Sequence, residues 1–367
     1  MARMDAVSKR TAQKIEKLAE QVMRAVKGGK NPFVEIPVRS LANVRFDPKK
    51  RIVQLGGQRQ KRYFFNVAMA KKFMQTFLVS DACKELVESG KTTSIRDLYY
   101  ITKHTIGETR QNTFEEQDES DPIIEDLEVA LDALREELHL FASRKGSMVG
   151  PVTIRDSGDT IDLRRMGSGG WAVPSIVEEN VIEFVRHEAR YVLLIEKDAV
   201  WTRFNEDKFW KRERCIILQG GGQPPRGVRR LVQRLHQELK LPVYVLVDND
   251  PWGFYIYSVM KQGSINLAYE SMRMAVPDAR FVGLSSFDKD KYQLPGNVAI
   301  KMDDGDVSRA KQMLAYPWFK EARWQREIQE MIRSGVKFEL EALSRRGISF
   351  VTEEYLPRKL KEKDWLE

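Results

Sequence analysis

The chain has 367 residues, of which 42% are hydrophobic and 10% aromatic, enough apolar material for two domains with their own cores, which excludes a disordered chain. Its two cysteines, Cys83 and Cys215, are far apart with no CxxC spacing, which excludes a disulfide framework and a thiolate zinc site and points to a reducing compartment. The formal net charge of +8 conceals two poles: residues 1–62 carry sixteen Lys and Arg against five Asp and Glu, whereas 108–139 carry two against twelve.

In chain order, residues 10–27 read as one amphipathic helix, followed by a mixed stretch with short strands at "FVEIPVRS" and "RIVQLGG". The basic character of residues 1–66 suits an N-terminal extension that contacts a partner or lies along phosphates, although a charge run is also the ordinary signature of a solvated face. From 67 to 140 the pattern is helical. It ends in "PIIEDLEVALDALREELHLF", where Ile124, Leu127, Leu131, Leu134 and Leu138 recur at helical spacing. "GPVTIRDSGDTIDLRRM" then alternates apolar and polar residues about a Ser-Gly-Asp turn, which predicts a β-hairpin. Three helices and a hairpin suggest a CAP-like winged-helix domain over 67–170, closed by a Gly-rich hinge at "GSGGW", 167–171. Beyond 171, "YVLLIE", "CIILQG" and "VYVLVD" are apolar runs between helical stretches and predict a buried, largely parallel sheet. No apolar run is long enough to span a bilayer and the leading residues lack the core of a signal peptide, so a cytoplasmic location without membrane association is expected.

Two places in this layout can carry chemistry. The first is the helix in "SIRDLYYITKHT": with Ser94 as cap and Asp97 closing the turn, Ile95, Leu98, Tyr99, Thr102 and Ile106 share one apolar stripe. Arg96, Tyr100 and Lys103 fall outside it, and the four-residue step from Arg96 to Tyr100 points guanidinium and phenol the same way. Such an Arg can favour phenolate and hold a phosphate under attack; the other reading is an exposed ring beside a solvated Arg. The second place is the set of acids at strand ends, Glu196 after "YVLLI" and Asp248 and Asp250 after "VYVLV". Carboxyl ends of parallel strands face the ligand crevice, and three oxygen ligands suit Mg²⁺. The arginines of "QPPRGVRRL", Arg226, Arg229 and Arg230, open a helix and, with Lys103, are candidates for gripping a DNA backbone.

The Glu after "VLLI" and the "DND" after "VYVLV" resemble a Toprim domain. Together with "RDLYY" upstream and "KFELEALSRRGISFVTEEYLPRKL" at the end, the chain resembles the type IIB topoisomerase A-subunit family, that of archaeal DNA topoisomerase VI and the meiotic double-strand-break protein. The resemblance implies a winged-helix domain followed by a Toprim domain at 171–367. It implies Tyr100 as nucleophile with Arg96 beside it, and Mg²⁺ on Glu196, Asp248 and Asp250. It further implies an ATP-dependent type II topoisomerase that breaks double-stranded DNA through a 5′-phosphotyrosyl link and religates it. The A chains would form a homodimer in a heterotetramer with an ATPase B subunit, since no GxxxxGK[ST] cradle occurs here. In relatives a Thr-Gly-Lys-Gly-like turn stands where this chain has Gln219–Gly227, so no lysine role transfers there. The residues alone leave two alternatives: another Toprim Mg²⁺-dependent nuclease or primase, and a non-catalytic winged-helix DNA-binding protein.

Overall fold

The structure, a computed structural model, describes residues 5–367; the first four residues of the expected N-terminal extension lie outside them. The described residues divide into two compact units, one of residues 5–44 and 55–143, the other of residues 45–54 and 144–367.

The first unit begins with α1 (Ala6–Lys27), capped by the Asp5 carboxylate accepting from Ser8 N at 2.7 Å. Strand β1 (Phe33–Pro37) leads to a hairpin of β2 (Val44–Asp47) and β3 (Ile52–Leu55), which apart from its end residues Val44 and Leu55 groups with the second unit, and then to β4 (Arg59–Tyr63), antiparallel to β1. Asn66 caps α2 (Val67–Ser89), and Gly90 ends it at φ +68. Strand β5 (Thr93–Ser94), α3 (Ile95–Thr102), α4 (Ser120–Leu131) and β6 (Leu140–Phe141), parallel to β5, complete the unit. Its core joins Ile15 of α1, Val79 and Cys83 of α2, Leu98 and Tyr99 of α3, and Ile123, Ile124 and Leu127 of α4. A smaller cluster joins Val34 and Ile36 to Phe73. The α1 and β1 parts of the basic N-terminal segment are therefore built into this unit rather than appended to it, because Ile15, Val34 and Ile36 supply core.

The helical pattern expected to 140 stops at Leu131. Asp132 turns left-handed at φ 44, and side chains take over the helix's backbone donors: Glu128 accepts from Arg135 N at 2.6 Å and Glu137 from Leu134 N at 2.7 Å. Leu134 and Leu138 stay buried, so the apolar period outlives the helix.

The second unit opens with β7 (Ser147–Val149), the hairpin β8 (Val152–Asp156) and β9 (Asp159–Asp162), and β10 (Trp171–Ala172). Ser157 and Gly158, at φ +50 and +100, form the two-residue turn that hairpins favour, and β11 (Ile182–His187) pairs with β8 in a three-stranded sheet. Next come β12 (Tyr191–Ile195), α5 (Asp198–Glu206), α6 (Phe209–Arg212), β13 (Cys215–Gln219), α7 (Arg226–Leu239), β14 (Val243–Leu246) and α8 (Pro251–Gln262). After α9 (Ser271–Met274) come β15 (Arg280–Phe281), α10 (Asp288–Lys291), α11 (Asp304–Ala315), α12 (Ala322–Ser334) and α13 (Leu356–Glu362). The central sheet runs β10-β7-β13-β12-β14-β15; its last four strands are parallel, and β7 and β10 join antiparallel at one edge. Alternate residues of each parallel strand enter different cores. Val192, Leu194, Ile216, Leu218, Val243 and Val245 face α7, α8 and α12, while Leu193, Ile195, Ile217 and Leu246 face α5 and the C-terminal segment. This is the α/β sheet, buried on both sides, that the apolar runs predict.

Two expected boundaries differ from the observed division. The hairpin placed with the tyrosine-bearing helices belongs to the second unit, where its strand β8 pairs with β11. The "GSGGW" segment is a packed corner rather than a hinge. Asn205 Nδ2 donates to the carbonyls of Gly167 and Ser168, both at 3.0 Å, and Trp171 is buried beside Met148 of β7. Gly170 sits at φ +68 with room for no side chain, since a Cβ would lie 2.9 Å from the Trp201 ring.

Candidate active site

In the first unit, α3 is short and set by its first turn. Ser94 Oγ accepts from Asp97 N at 3.0 Å, and its hydroxyl lies 2.8 Å from the Asp97 carboxylate. That start fixes the helix's rotation. Leu98, Tyr99 and Thr102 are buried, whereas Tyr100 is 61% exposed and Arg96, one turn earlier on the same face, is exposed too. The two tyrosine rings meet edge to face at 5.0 Å. The Tyr99 hydroxyl is committed inward, donating to Glu115 O at 2.8 Å and accepting from Lys103 Nζ at 2.7 Å. Lys103 also donates to Glu115 O at 2.9 Å, so this expected DNA contact is tied into its own unit; the Tyr99 hydroxyl heads the causes that raise its pKa.

In the second unit, β12 and β14 are neighbours, while β13, which follows β12 in the chain, lies on the other side of β12. The chain thus runs from β12 to β13 on one side and then crosses back to β14 on the other. A parallel sheet opens its crevice at such a reversal, and Glu196 and Asp248 stand at the carboxyl ends of these two strands. Glu196 Oε2 accepts from Asp248 N at 3.1 Å. Asp248 Oδ1 accepts from Leu340 N at 2.8 Å and its Oδ2 holds Lys197 Nζ at 2.9 Å. Asp250 caps α8, accepting from Gly253 N at 2.5 Å; a Cβ on Gly253 would lie 2.6 Å from Asp248 O, so a glycine lets the helix start this close to the strand end. Burial, with repulsion from Asp248 next, pushes the Glu196 carboxyl up to about 7. Burial pushes Asp248 up to about 6 against the opposing pull of Lys197, and raises Asp250 as well.

Three carboxylates that hold protons above their usual range supply the all-oxygen donor set a hard divalent cation takes, and a cation would relieve their repulsion. Among the described residues, however, no three His, Cys, Asp or Glu side chains are gathered tightly enough to form a metal cluster. Asp248 is occupied by Lys197 and a backbone N–H, and Asp250 is turned to its helix. Lys197 also reaches Glu339 and Glu341, both at 3.2 Å. Reading strand ends for acids missed this lysine and its two outer partners; the only signal was its place next to Glu196. It also missed Asn249, wholly buried, whose amide donates to Glu327 Oε1 at 3.3 Å while its backbone bonds Phe338 in both directions.

The basic opening of α7 packs its arginines against acids of the second unit. Arg226 and Arg229 are buried and share the carboxylate of buried Glu270, at 2.9 and 2.6 Å, and Arg230 pairs with Glu178 at 2.6 Å. Acids 41 or more residues away in the chain neutralise them, which the local run of arginines could not reveal. The Gln219–Gly227 loop lies against the acid strand: Gly222 N donates to Glu196 O at 2.9 Å, and Gln219 Nε2 donates to Asp198 at 3.0 Å.

Residues 191–360 match the Toprim domain of the topoisomerase 6 A-subunit/Spo11 family. Residues 71–140 match type IIB DNA topoisomerase, and 145–188 match an all-beta domain of the DNA topoisomerase VI alpha subunit. The A subunit of type 2 DNA topoisomerase 6 from Pyrococcus horikoshii is 46% identical over 95% of this chain and 94% of its own length. The chain belongs to the topoisomerase 6 A-subunit/Spo11 family. The protein of the same name from Hyperthermus butylicus is 43% identical over 97% of this chain and 94% of its own, and the A3 subunit of rice DNA topoisomerase 6 is 36% identical over 99% of this chain and 80% of its own. The family's all-beta match begins at 145, next to the observed boundary at 143/144, in agreement with the hairpin's place in the second unit. Among the described residues no helix is long and apolar enough to cross a membrane.

Proposed function

We infer that the chain is the DNA-cleaving A subunit of an ATP-dependent type II DNA topoisomerase. It breaks both strands of a duplex transiently, lets another duplex pass and religates the ends. The near-full-length likeness to topoisomerase 6 A subunits carries this reading. The exposed Tyr100 phenol, next to a Tyr99 whose hydroxyl is already used inside the fold, favours Tyr100 as the reacting group.

In the proposed reaction the Tyr100 oxygen attacks a backbone phosphorus and the bond to the 3′ oxygen breaks. The phenol gives up its proton and the 3′ oxygen takes one, leaving DNA joined to the protein through a 5′-phosphotyrosyl ester. Arg96 would hold the phosphate's charge. The ester conserves the bond, so the 3′ hydroxyl can reverse the attack without a nucleotide. Glu196, Asp248 and Asp250 would hold Mg²⁺, which, when bound, stabilises negative charge on phosphate and departing oxygen. Two strands need two tyrosines, hence a homodimer of A chains, with ATP turned over by a B subunit in an A₂B₂ assembly. The trio α2, α3 and α4, with the β1–β4 pair in place of the hairpin first expected, supports a winged-helix reading of the first unit. A cytoplasmic location goes with this function.

The test is reconstitution with the ATPase partner on supercoiled DNA, followed by denaturant trapping. ATP-dependent relaxation with DNA covalently attached to this chain is expected. Metal-dependent cutting without an adduct would instead indicate a nuclease, and tight binding without turnover a DNA-binding protein.

A further inference from the structure

Lys197 directly follows Glu196 and takes the N-cap position of α5, so its backbone is held at the strand end while its side chain lies across the acids. Its ammonium touches three carboxylates: Asp248 at 2.9 Å, Glu339 at 3.2 Å and Glu341 at 3.2 Å. These differ sharply in environment. The Asp248 side chain is 3% exposed, against 51% for Glu339 and 43% for Glu341, so the ammonium bridges the interior of the crevice to its rim. Asp248 has little else to offer a cation, because its Oδ1 is taken by the Leu340 N–H at 2.8 Å and Oδ2 is the atom that Lys197 covers.

We propose that Lys197 is the resident counter-cation of the acid site, competing with a divalent cation for Asp248 and moving outward onto Glu339 and Glu341 when that cation binds. This rests on the reading of Glu196, Asp248 and Asp250 as metal ligands. Magnesium binds oxygen at about 2.1 Å, and an ammonium on the same oxygen would face it across a few ångströms of poorly screened repulsion. The four-carbon stem lets the nitrogen travel while the backbone stays put. Glu339 and Glu341 are kept within reach because their segment is stitched to the acid strand: Asn249 N donates to Phe338 O at 2.9 Å, Phe338 N to Asn249 O at 3.0 Å, and Leu340 N to Asp248. The rim carboxylates thus form a second seat for the ammonium, in register with the first.

The test is magnesium or manganese binding to the full-length chain by titration calorimetry, without DNA, with circular dichroism to verify folding. Lys197→Met should bind the metal about tenfold more tightly, and Lys197→Arg, which keeps the charge, should return towards the parent. The Glu339→Gln, Glu341→Gln double variant alters only rim side chains and should bind several-fold more weakly, since the ammonium then has only Asp248. Folded Lys197→Met that binds no more tightly than the parent overturns the competition, and a double variant that matches the parent overturns the outward seat. Asp248→Asn binding as tightly as the parent would sink the underlying metal reading instead, a separate outcome.

Discussion

Arg229 and Glu270 form an ion pair inside the second unit, Nη2 to Oε1 at 2.6 Å, with Arg226 sharing the same carboxylate, and all three side chains are at most 5% exposed. Removing one partner of such a set strands the others' charge in a medium that solvates it poorly. Glu270→Ala should therefore lower unfolding free energy by about 3–5 kcal/mol in urea titrations. Because Arg226 and Arg229 face inward, the salt dependence of DNA affinity should be the same in the parent and in a folded variant with Arg226→Gln, Arg229→Gln and Glu270→Gln together, which removes the whole buried charge set; a shallower slope would return the two arginines to the DNA-contacting set.

The two tyrosines of α3 should separate cleanly. Tyr100→Phe keeps ring and fold and loses only the oxygen, so covalent adduct should vanish while DNA binding and melting temperature hold. Tyr99→Phe leaves Glu115 O with one donor fewer and should cost about 1 kcal/mol of stability with cleavage retained. An adduct on the Tyr100 variant would move the nucleophile elsewhere.

Asp250 has a structural duty besides the one proposed for it, and two substitutions divide them. Asp250→Asn can still cap α8, whereas Asp250→Ala cannot and should lose about 1 kcal/mol. Both should lose the magnesium-induced rise in melting temperature expected of the parent. If only the alanine variant lost it, the cap and not the carboxylate charge would be what the cation needs.

Lys261 of α8 is buried, donating to Ala279 O at 2.8 Å, and burial, helped by Arg51, pushes its pKa down to about 8 from an ordinary 10.5. A depressed lysine is neutral in the folded chain above about 8 while the unfolded chain still binds the proton. Stability should thus rise with pH between about 8 and 10.5, by on the order of 3 kcal/mol. Lys261→Met should be more stable than the parent at neutral pH and should lack that rise. A parallel pH dependence in both proteins would exclude Lys261 as its source.

Mixing Tyr100→Phe chains with Glu196→Ala chains tests whether the tyrosine of one protomer works with the acids of the other. A heterodimer would then contain one intact site, and nicked DNA should appear although neither parent cuts. If each site is completed within one chain, the mixture stays inactive.

Local pattern was enough for the α3 wheel, because burial of one helical stripe is decided by a period that the residues themselves display: Leu98, Tyr99 and Thr102 are inside, Arg96 and Tyr100 outside. It was enough for the acids at the ends of β12 and β14, since an apolar run closed by a carboxylate is a property of consecutive residues. The arginines of α7 show where pattern stops. Their run reads the same whether the partner is a phosphate or Glu270, and only the path of the chain brings Glu270 to them. Leu134 and Leu138 keep helical spacing past the point where Asp132 ends the helix, because a tight turn can preserve the direction of side chains while backbone hydrogen bonds pass to Glu128 and Glu137.

The sequence by itself determined the α/β sheet, the exposed tyrosine and the three acids, all features carried by residues within a few positions of one another. Tertiary structure alone decided that the hairpin joins the second unit, that "GSGGW" is packed under Trp201, that α7 turns its arginines inward, and that Lys197 links Asp248 to Glu339 and Glu341. Each of these depends on pairing between segments 26 to 144 residues apart, where charge and apolar area find partners by proximity in space, and no local period records which partner that will be.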